Sequence, residues 1–355
     1  MTEAFLLLST GDRREALAVA ASTTGRPAHL LEKDIWVVWT LDTMFSAPFG
    51  AHLVFKGGTS LSKVYAVIRR FSEDVDLTYD MRALAGNLVG HGNEPTPAST
   101  SQAKKWGDKI KALLAEWVSG DALTTINDAL KGAGLAASAA LDPTDAASII
   151  VDYDPASAKS LYTSHAVKLE FGARSTGEPA STHTVVCDAA ATVPSLAFPN
   201  ASPRVMHAER TFWEKATAIH VFASGGKFRG QSRFSRHWYD LMQLDETGFA
   251  EKALGDRDLA KAVATHKTAF FSERDAAGQV IDYQRAVAGG LRLMPGDADL
   301  EKLRDDYGRM VSDGLLLDAA LSFDEVLSHC RALEVRANAA TTRPEQSGSG
   351  GNWNL

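Results

Sequence analysis

Two aspartates one residue apart, Asp74 and Asp76, stand in the alternating run Asp74-Val75-Asp76-Leu77. On a strand, side chains two positions apart share a face, so both carboxylates would project together. Such a pair offers hard oxygen ligands to Mg²⁺, with nucleotide phosphates able to complete the shell. Metal-assisted in-line attack on an α-phosphate is the chemistry it serves. Just upstream, Gly57-Gly58-Thr59-Ser60 supplies a complement. Glycine has no Cβ and lets the backbone turn tightly against a phosphate. Thr59 is a good N-cap, and amides at a helix start attract anions. Ser60 and Ser72 add hydroxyls, and Lys63 adds a cation one turn further on. Alone, each half has an ordinary reading, a tight turn or a solvated strand face. Joined across one helix, they point to nucleotide chemistry. A P-loop is excluded, because no Gly-Lys-Ser/Thr follows the glycines.

These residues need a strand ending at Val54-Phe55, a helix over Thr59 to Arg70 and a strand from Asp74. Before them, the spacing predicts a helix over residues 3–21, broken at Gly25-Arg26-Pro27, and an amphipathic helix from Leu30 to Phe45. On it, Lys33 and Asp34 read as a solvated face, and Trp36 and Trp39 as core. Residues 86–101 are a Gly/Pro/Ser/Thr loop. Helices follow at 104–118 and 121–132, then an Ala-rich stretch, 133–147, stopped by Pro143. The period then changes to two, predicting strands at 149–153, 164–171 and 182–188. Lys168 and Glu170 share one face of the second. A helix begins near His207, with Phe212, Trp213, Ala216, Ile219 and His220 as its buried stripe. The segment 225–236 is the most basic, with Lys227, Arg229, Arg233 and Arg236 interleaved with Phe228 and Phe234. Cations track a phosphate backbone and rings stack on bases, so this segment suits single-stranded RNA. Helices predicted at 249–253, 258–271, 300–312 and 322–336 carry no catalytic constellation. The tail after Thr341 has a disordered composition.

The segments Phe55-Lys56-Gly57-Gly58-Thr59-Ser60-Leu61 and Arg70-Phe71-Ser72-Glu73-Asp74-Val75-Asp76-Leu77 resemble the AbiEii/AbiGii toxin family of bacterial nucleotidyltransferases, within the polymerase-β-like superfamily. Glu32-Lys33-Asp34, Lys168-Leu169-Glu170, Glu214-Lys215 and Arg236-His237-Trp238-Tyr239-Asp240-Leu241 look like further pieces of the family pattern. The resemblance implies a third carboxylate on a neighbouring strand, for which Glu170 is the choice and Asp188 the rival. It implies Lys215 as a triphosphate-binding catalytic residue, Lys168 as a neutraliser of phosphate charge and a place for Lys33 near the nucleotide. Asp240 would orient Lys215 or Arg236, or touch ribose or metal; a buried salt bridge between helices is the competing role. It also implies the toxin of a toxin–antitoxin or phage-defence pair, a cognate antitoxin encoded nearby, and RNA acceptors such as the tRNA 3′ end.

Composition bounds this reading. The 355 residues are 45% hydrophobic, ample for a core, and the net charge of -7 offers no global basic field for nucleic acid. Two distant cysteines, Cys187 and Cys330, form neither zinc spacing nor a disulfide framework and fit a reducing cytosol. No apolar run reaches the roughly 20 residues of a membrane span, so a cytoplasmic protein is expected. The expected fold is α+β: a minimal polymerase-β-like nucleotidyltransferase mixed sheet with N-terminal helices (1–48), a core at 49–203 with a helical insertion at about 81–147, a helical C-terminal region at 204–340 and a tail at 341–355. The expected reaction is Mg²⁺-dependent transfer of NMP from an NTP. Asp74, Asp76 and Glu170 would hold metal, and Gly57 to Ser60 would cradle phosphates. The rivals are transfer to a small molecule or a protein hydroxyl, and a nucleotide-binding regulator without turnover.

Overall fold

The computed structural model describes residues 3–72, 74–157, 164–225, 233–317 and 321–339. The expected tail, 341–355, lies outside them. Helix α1 (Thr10–Thr24) starts later than the spacing predicts, because Ser9 caps it by accepting the Asp12 N–H at 3.2 Å. Gly25, at φ +70°, ends it in the left-handed conformation. Helix α2 (Ala28–Ser46) follows and is buried nearly all round. Its Trp36 stacks on Tyr153 at 5.0 Å.

Strand β1 (Leu53–Lys56) leads directly into the short helix α3 (Gly57–Lys63), and β2 (Asp74–Tyr79) returns antiparallel to β1. The expected helix to Arg70 therefore stops early. Its chain is drawn off to the C-terminal half, where Phe71 N–H donates to Leu315 O at 2.8 Å and Leu317 N–H to Arg69 O at 2.9 Å. The insertion holds α4 (Met81–Val89), α5 (Thr100–Trp117) and α6 (Leu123–Gly132). Residues 137–147, expected to finish this helical region, instead form β3 (Ala137–Asp142), a turn at Pro143 and the start of β4 (Asp145–Tyr153), whose later part is the strand expected at 149–153. Strands β5 (Ala166–Gly172), β6 (Ala180–Thr182) and β7 (Arg204–Met206) complete a seven-stranded mixed sheet in the order β3-β4-β5-β2-β1-β7-β6. The strand expected over 182–188 is divided: β6 ends at Thr182, and Val185–Val186 pairs separately with Asn200–Ala201. At the free edge, the side-chain amide of Asn127 on α6 accepts from Ala139 N–H and donates to Ala139 C=O, each at 3.2 Å.

The remaining helices are α7 (Ala208–Ala223), α8 (Arg236–Glu246), α9 (Phe249–Gly255), α10 (Arg257–Phe270), α11 (Asp297–Ser312) and α12 (Phe323–Ala339). The expected stripe of α7 is buried. Two apolar cores result. One lies between a face of the sheet and the helices α1, α2 and α4–α6; the other lies among α7–α12 and takes in Leu61, Val67 and Ile68. No described helix is long and apolar enough to cross a membrane.

Candidate active site

Alternation on β2 sends Val75 and Leu77 into the first core and turns Asp74 and Asp76 to the opposite face. Strand β5 runs parallel to β2, with Lys168 opposite Asp74 and Glu170 opposite Asp76. One sheet face thus carries three carboxylates and a lysine. Asp74, Asp76 and Glu170 line a cleft of about 200 Å³ that is closed from above by α7, α8 and α10.

The glycine turn forms one wall. Gly57 has φ +79°, and a Cβ there would fall on the Asp76 carboxylate. At Gly58 a Cβ would stand 2.7 Å from Arg70 Nη2 and 2.8 Å from Ser72 Oγ. Both glycines therefore admit neighbouring side chains to the cleft floor. The hydroxyls beyond them behave differently from expectation. Lys56, not Thr59, holds the cap position of α3. Thr59 Oγ1 donates to the carbonyl of Asp74, and Ser60 Oγ donates to Gly57 O at 2.9 Å; both residues are buried away from the cleft. They fasten α3 to the acidic strand. Ser72 does line the cleft.

Lys63 also departs from expectation. Its ammonium lies 2.6 Å from Asp34 and 2.7 Å from Asp188, in a separate cavity behind α3 that Arg26 shares. Asp188, the rival third carboxylate, is thereby paired with Lys63 and Arg26 and does not line the cleft. Glu32, Lys33 and Asp34 are buried rather than solvated. Glu32 accepts the Ala156 and Ser157 N–H groups at 2.7 and 3.0 Å, and Asp34 accepts the Asp188 N–H at 2.7 Å. Lys33 donates to Ser164 O at 3.2 Å. Burial pulls the Lys33 ammonium down to about 8, against the attraction of Asp74.

The opposite wall is cationic. Lys215 sits 2.8 Å from Asp240, which also receives Arg70 Nε and Nη2 at 2.7 and 2.9 Å. Asp240 is fully buried and does not reach the cleft; it acts as the inter-helix salt bridge and orients Lys215 and Arg70. Burial would raise its carboxyl, but Arg70 and Lys215 hold it well below the usual range. Arg236 and His237 line the cleft from the start of α8. Arg233 lies in an adjoining basin with Lys33 and Lys168. Lys227 and Arg229 lie outside the described residues. Lys168 reaches Glu170 at 2.8 Å and Asp142 at 3.2 Å.

Six lining residues were not site candidates in the sequence reading: Lys56, Arg70, Thr211, Glu214, His237 and Lys267. Burial would raise Glu214, but Lys56, Lys267 and Arg210 hold it down to about 2. Lys56 abuts the glycines, which was a usable signal. Lys267 lies on α10 within an ordinary amphipathic run, where nothing local marked it.

The donor set fits a hard divalent cation. Burial, Glu170 and Asp76 raise the Asp74 carboxyl; burial and Glu170 raise that of Asp76 despite Lys56. Like charges crowded in this way are relieved by a cation. Among the described residues no three His, Cys, Asp or Glu groups are gathered to hold one as they stand, and Glu170 is turned to Lys168.

A protein-family model described as Nucleotidyl transferase AbiEii toxin, Type IV TA system matches residues 39–329. No curated protein matches. Among solved structures, the chain is similar to MenT4, a nucleotidyltransferase toxin from Mycobacterium tuberculosis H37Rv, at 16% identity and TM-score 0.40, covering 92% of this chain and 98% of that one. It is also similar to JHP933 from Helicobacter pylori, at 14% identity and TM-score 0.37, covering 87% and 91%.

Proposed function

This chain belongs to the AbiEii family of nucleotidyltransferase toxins of type IV toxin–antitoxin systems, and on that footing we propose that it transfers a nucleoside monophosphate from an NTP to an RNA 3′-hydroxyl with Mg²⁺. The observation that carries the reading is the meeting of Asp74, Asp76 and Glu170 with a cationic wall across one cleft. Asp74 and Asp76 would hold the metal, joined by Glu170. When bound, the metal supplies charge neutralisation at the phosphates and at the attacking oxygen.

The residues of the chain take the remaining roles. The backbone at Gly57-Gly58, Ser72, Lys215 and Arg236 binds and orients the triphosphate. Glu170 takes the proton of the acceptor hydroxyl. The hydroxyl oxygen forms a bond to the α-phosphorus as the bond to the bridging oxygen of pyrophosphate breaks. Lys215 and Arg236 face the charge that gathers on the leaving group. Asp240 keeps Lys215 aimed.

Incubating the protein with Mg²⁺, each α-labelled NTP in turn and total bacterial RNA tests this. Label that enters RNase-sensitive material with wild type, and not with Asp74→Ala, is the expected result. Label that survives RNase but not protease would move the acceptor to protein and overturn the RNA reading. The cognate antitoxin implied by the family would be the partner encoded alongside.

A further inference from the structure

We infer that the basin formed by Lys33, Lys168 and Arg233 beside Asp74 holds the last phosphodiester of the acceptor strand. This rests on the RNA-acceptor reading above. The basin is about 320 Å³ and is completed by Ile150, Ser164 and Ala166. Asp74 is the residue common to the linings of this basin and of the triphosphate cleft.

The argument is stereochemical first. In-line displacement places the attacking oxygen and the leaving pyrophosphate on opposite sides of the α-phosphorus. The glycine turn follows β1, on the flank of β2 opposite β5, and shares its cleft with Lys215 and Arg236, which makes that the donor side. The acceptor must then come in from the other, across β5 and β4, where this basin lies.

The charge argument is independent of the first. Three cations arrive from α2, from β5 and from the turn before α8, elements far apart in sequence. The two lysine side chains and the backbone at Arg233 are held in place. Lys33 donates to Ser164 O, Lys168 is clamped between Glu170 and Asp142, and the backbone N–H of Arg233 is held by Asp306. Arg233 adopts φ +77°, a conformation that costs a non-glycine residue energy and is kept where the surroundings impose it. Lys33 is buried, so a phosphate there would be bound at a poorly hydrated ammonium. Ile150 and Ala166 give an apolar floor for a ribose.

The test is equilibrium binding without NTP. A short fluorescent single-stranded RNA with a free 3′-hydroxyl is titrated with wild type, Arg233→Gln, Lys168→Gln and Lys33→Gln, while NTP affinity is measured separately. The expected result is about tenfold weaker RNA binding in each variant, with the slope of log K against log salt shallower by about 0.7 per lost contact, and NTP affinity retained. Retained NTP affinity also certifies folding; if Lys33→Gln fails that check, the two variants nearer the surface decide. Unchanged RNA binding in the folded variants would overturn this inference and leave the RNA reading standing. Loss of NTP affinity with RNA affinity intact would reassign the basin to the donor. Absence of RNA binding by wild type, with label passing to another acceptor, would remove the reading beneath it.

Discussion

The Asp76 carboxylate fills the space that a side chain at Gly57 would need: a Cβ there would stand 2.8 Å from Asp76 Cγ, with the carboxylate oxygen nearer still. Gly57→Ala should therefore push Asp76 off its position. Displacing a metal-binding group by about 1 Å can lower transfer on the order of 100-fold. The left-handed φ adds roughly 1 kcal/mol of destabilisation. Initial rates with an α-labelled NTP, beside a urea titration, would resolve the two effects. Rates within twofold of wild type would show that the approach has no role in turnover.

Asp240 is the buried anion between Arg70 and Lys215. Asp240→Ala would leave two cations buried without it, a loss of about 3–5 kcal/mol. Lys215→Met should cost less stability and act mainly on catalysis, raising KM for NTP and lowering kcat. A chemical denaturation series that ranks Lys215→Met as the more damaging would contradict the pairing described.

Glu170 and Asp188 can be separated by their metal dependence. Glu170→Gln should lower kcat by on the order of 100-fold or more and shift the Mg²⁺ concentration giving half-maximal rate. Asp188→Asn breaks contacts to Lys63 and Arg26 and should lower Tm while leaving the Mg²⁺ titration unaltered. Chelation by EDTA should abolish transfer in all forms that have it, with activity restored by Mg²⁺. A shifted Mg²⁺ midpoint in Asp188→Asn alone would exchange the two assignments.

Acid stability offers a check on the second core. His220 is buried, and its Nδ1 accepts the Arg292 N–H at 3.0 Å. Burial, aided by the nearby Arg292 charge, lowers its pKa from 6.5 to about 4. The unfolded chain therefore takes up this proton at a higher pH than the folded one. The stability the neutral ring contributes is present above 6.5 and is lost as pH falls from there to about 4. The slope is at most about 1.4 kcal/mol per pH unit. His220→Gln should flatten the unfolding free energy across that window relative to wild type. Parallel pH profiles of the two proteins would show that the ring does not titrate with folding.

The alternation of Asp74-Val75-Asp76 was enough to read the acidic strand, because a face buried on one side and polar on the other is written in the side chains themselves. The partnership of Asp76 with Glu170 was not, since parallel pairing joins residues far apart in the chain and only the sheet register decides it. Thr59 and Ser60 read as phosphate donors because a hydroxyl after two glycines looks the same whether it points outward or back to the backbone. Lys33, Asp34 and Lys63 read as a solvated face or an anion contact for a related reason: long-range ion pairing lets charges go inside, and no local pattern announces the partner. Strand β3 was hidden by alanine, whose helix propensity was overridden by pairing with the Ile149-Ile150-Val151 strand that the sequence did show.

The Asn127 side chain does for Ala139 what a neighbouring strand would do, meeting its N–H and its C=O at once. The outermost strand is thereby told where the sheet ends. An unsealed edge invites another molecule to continue the ladder, and with it the slow conversion of a folded protein into deposits. At Ala139 the chain closes this edge with its own side chain, so another copy finds no free ladder there.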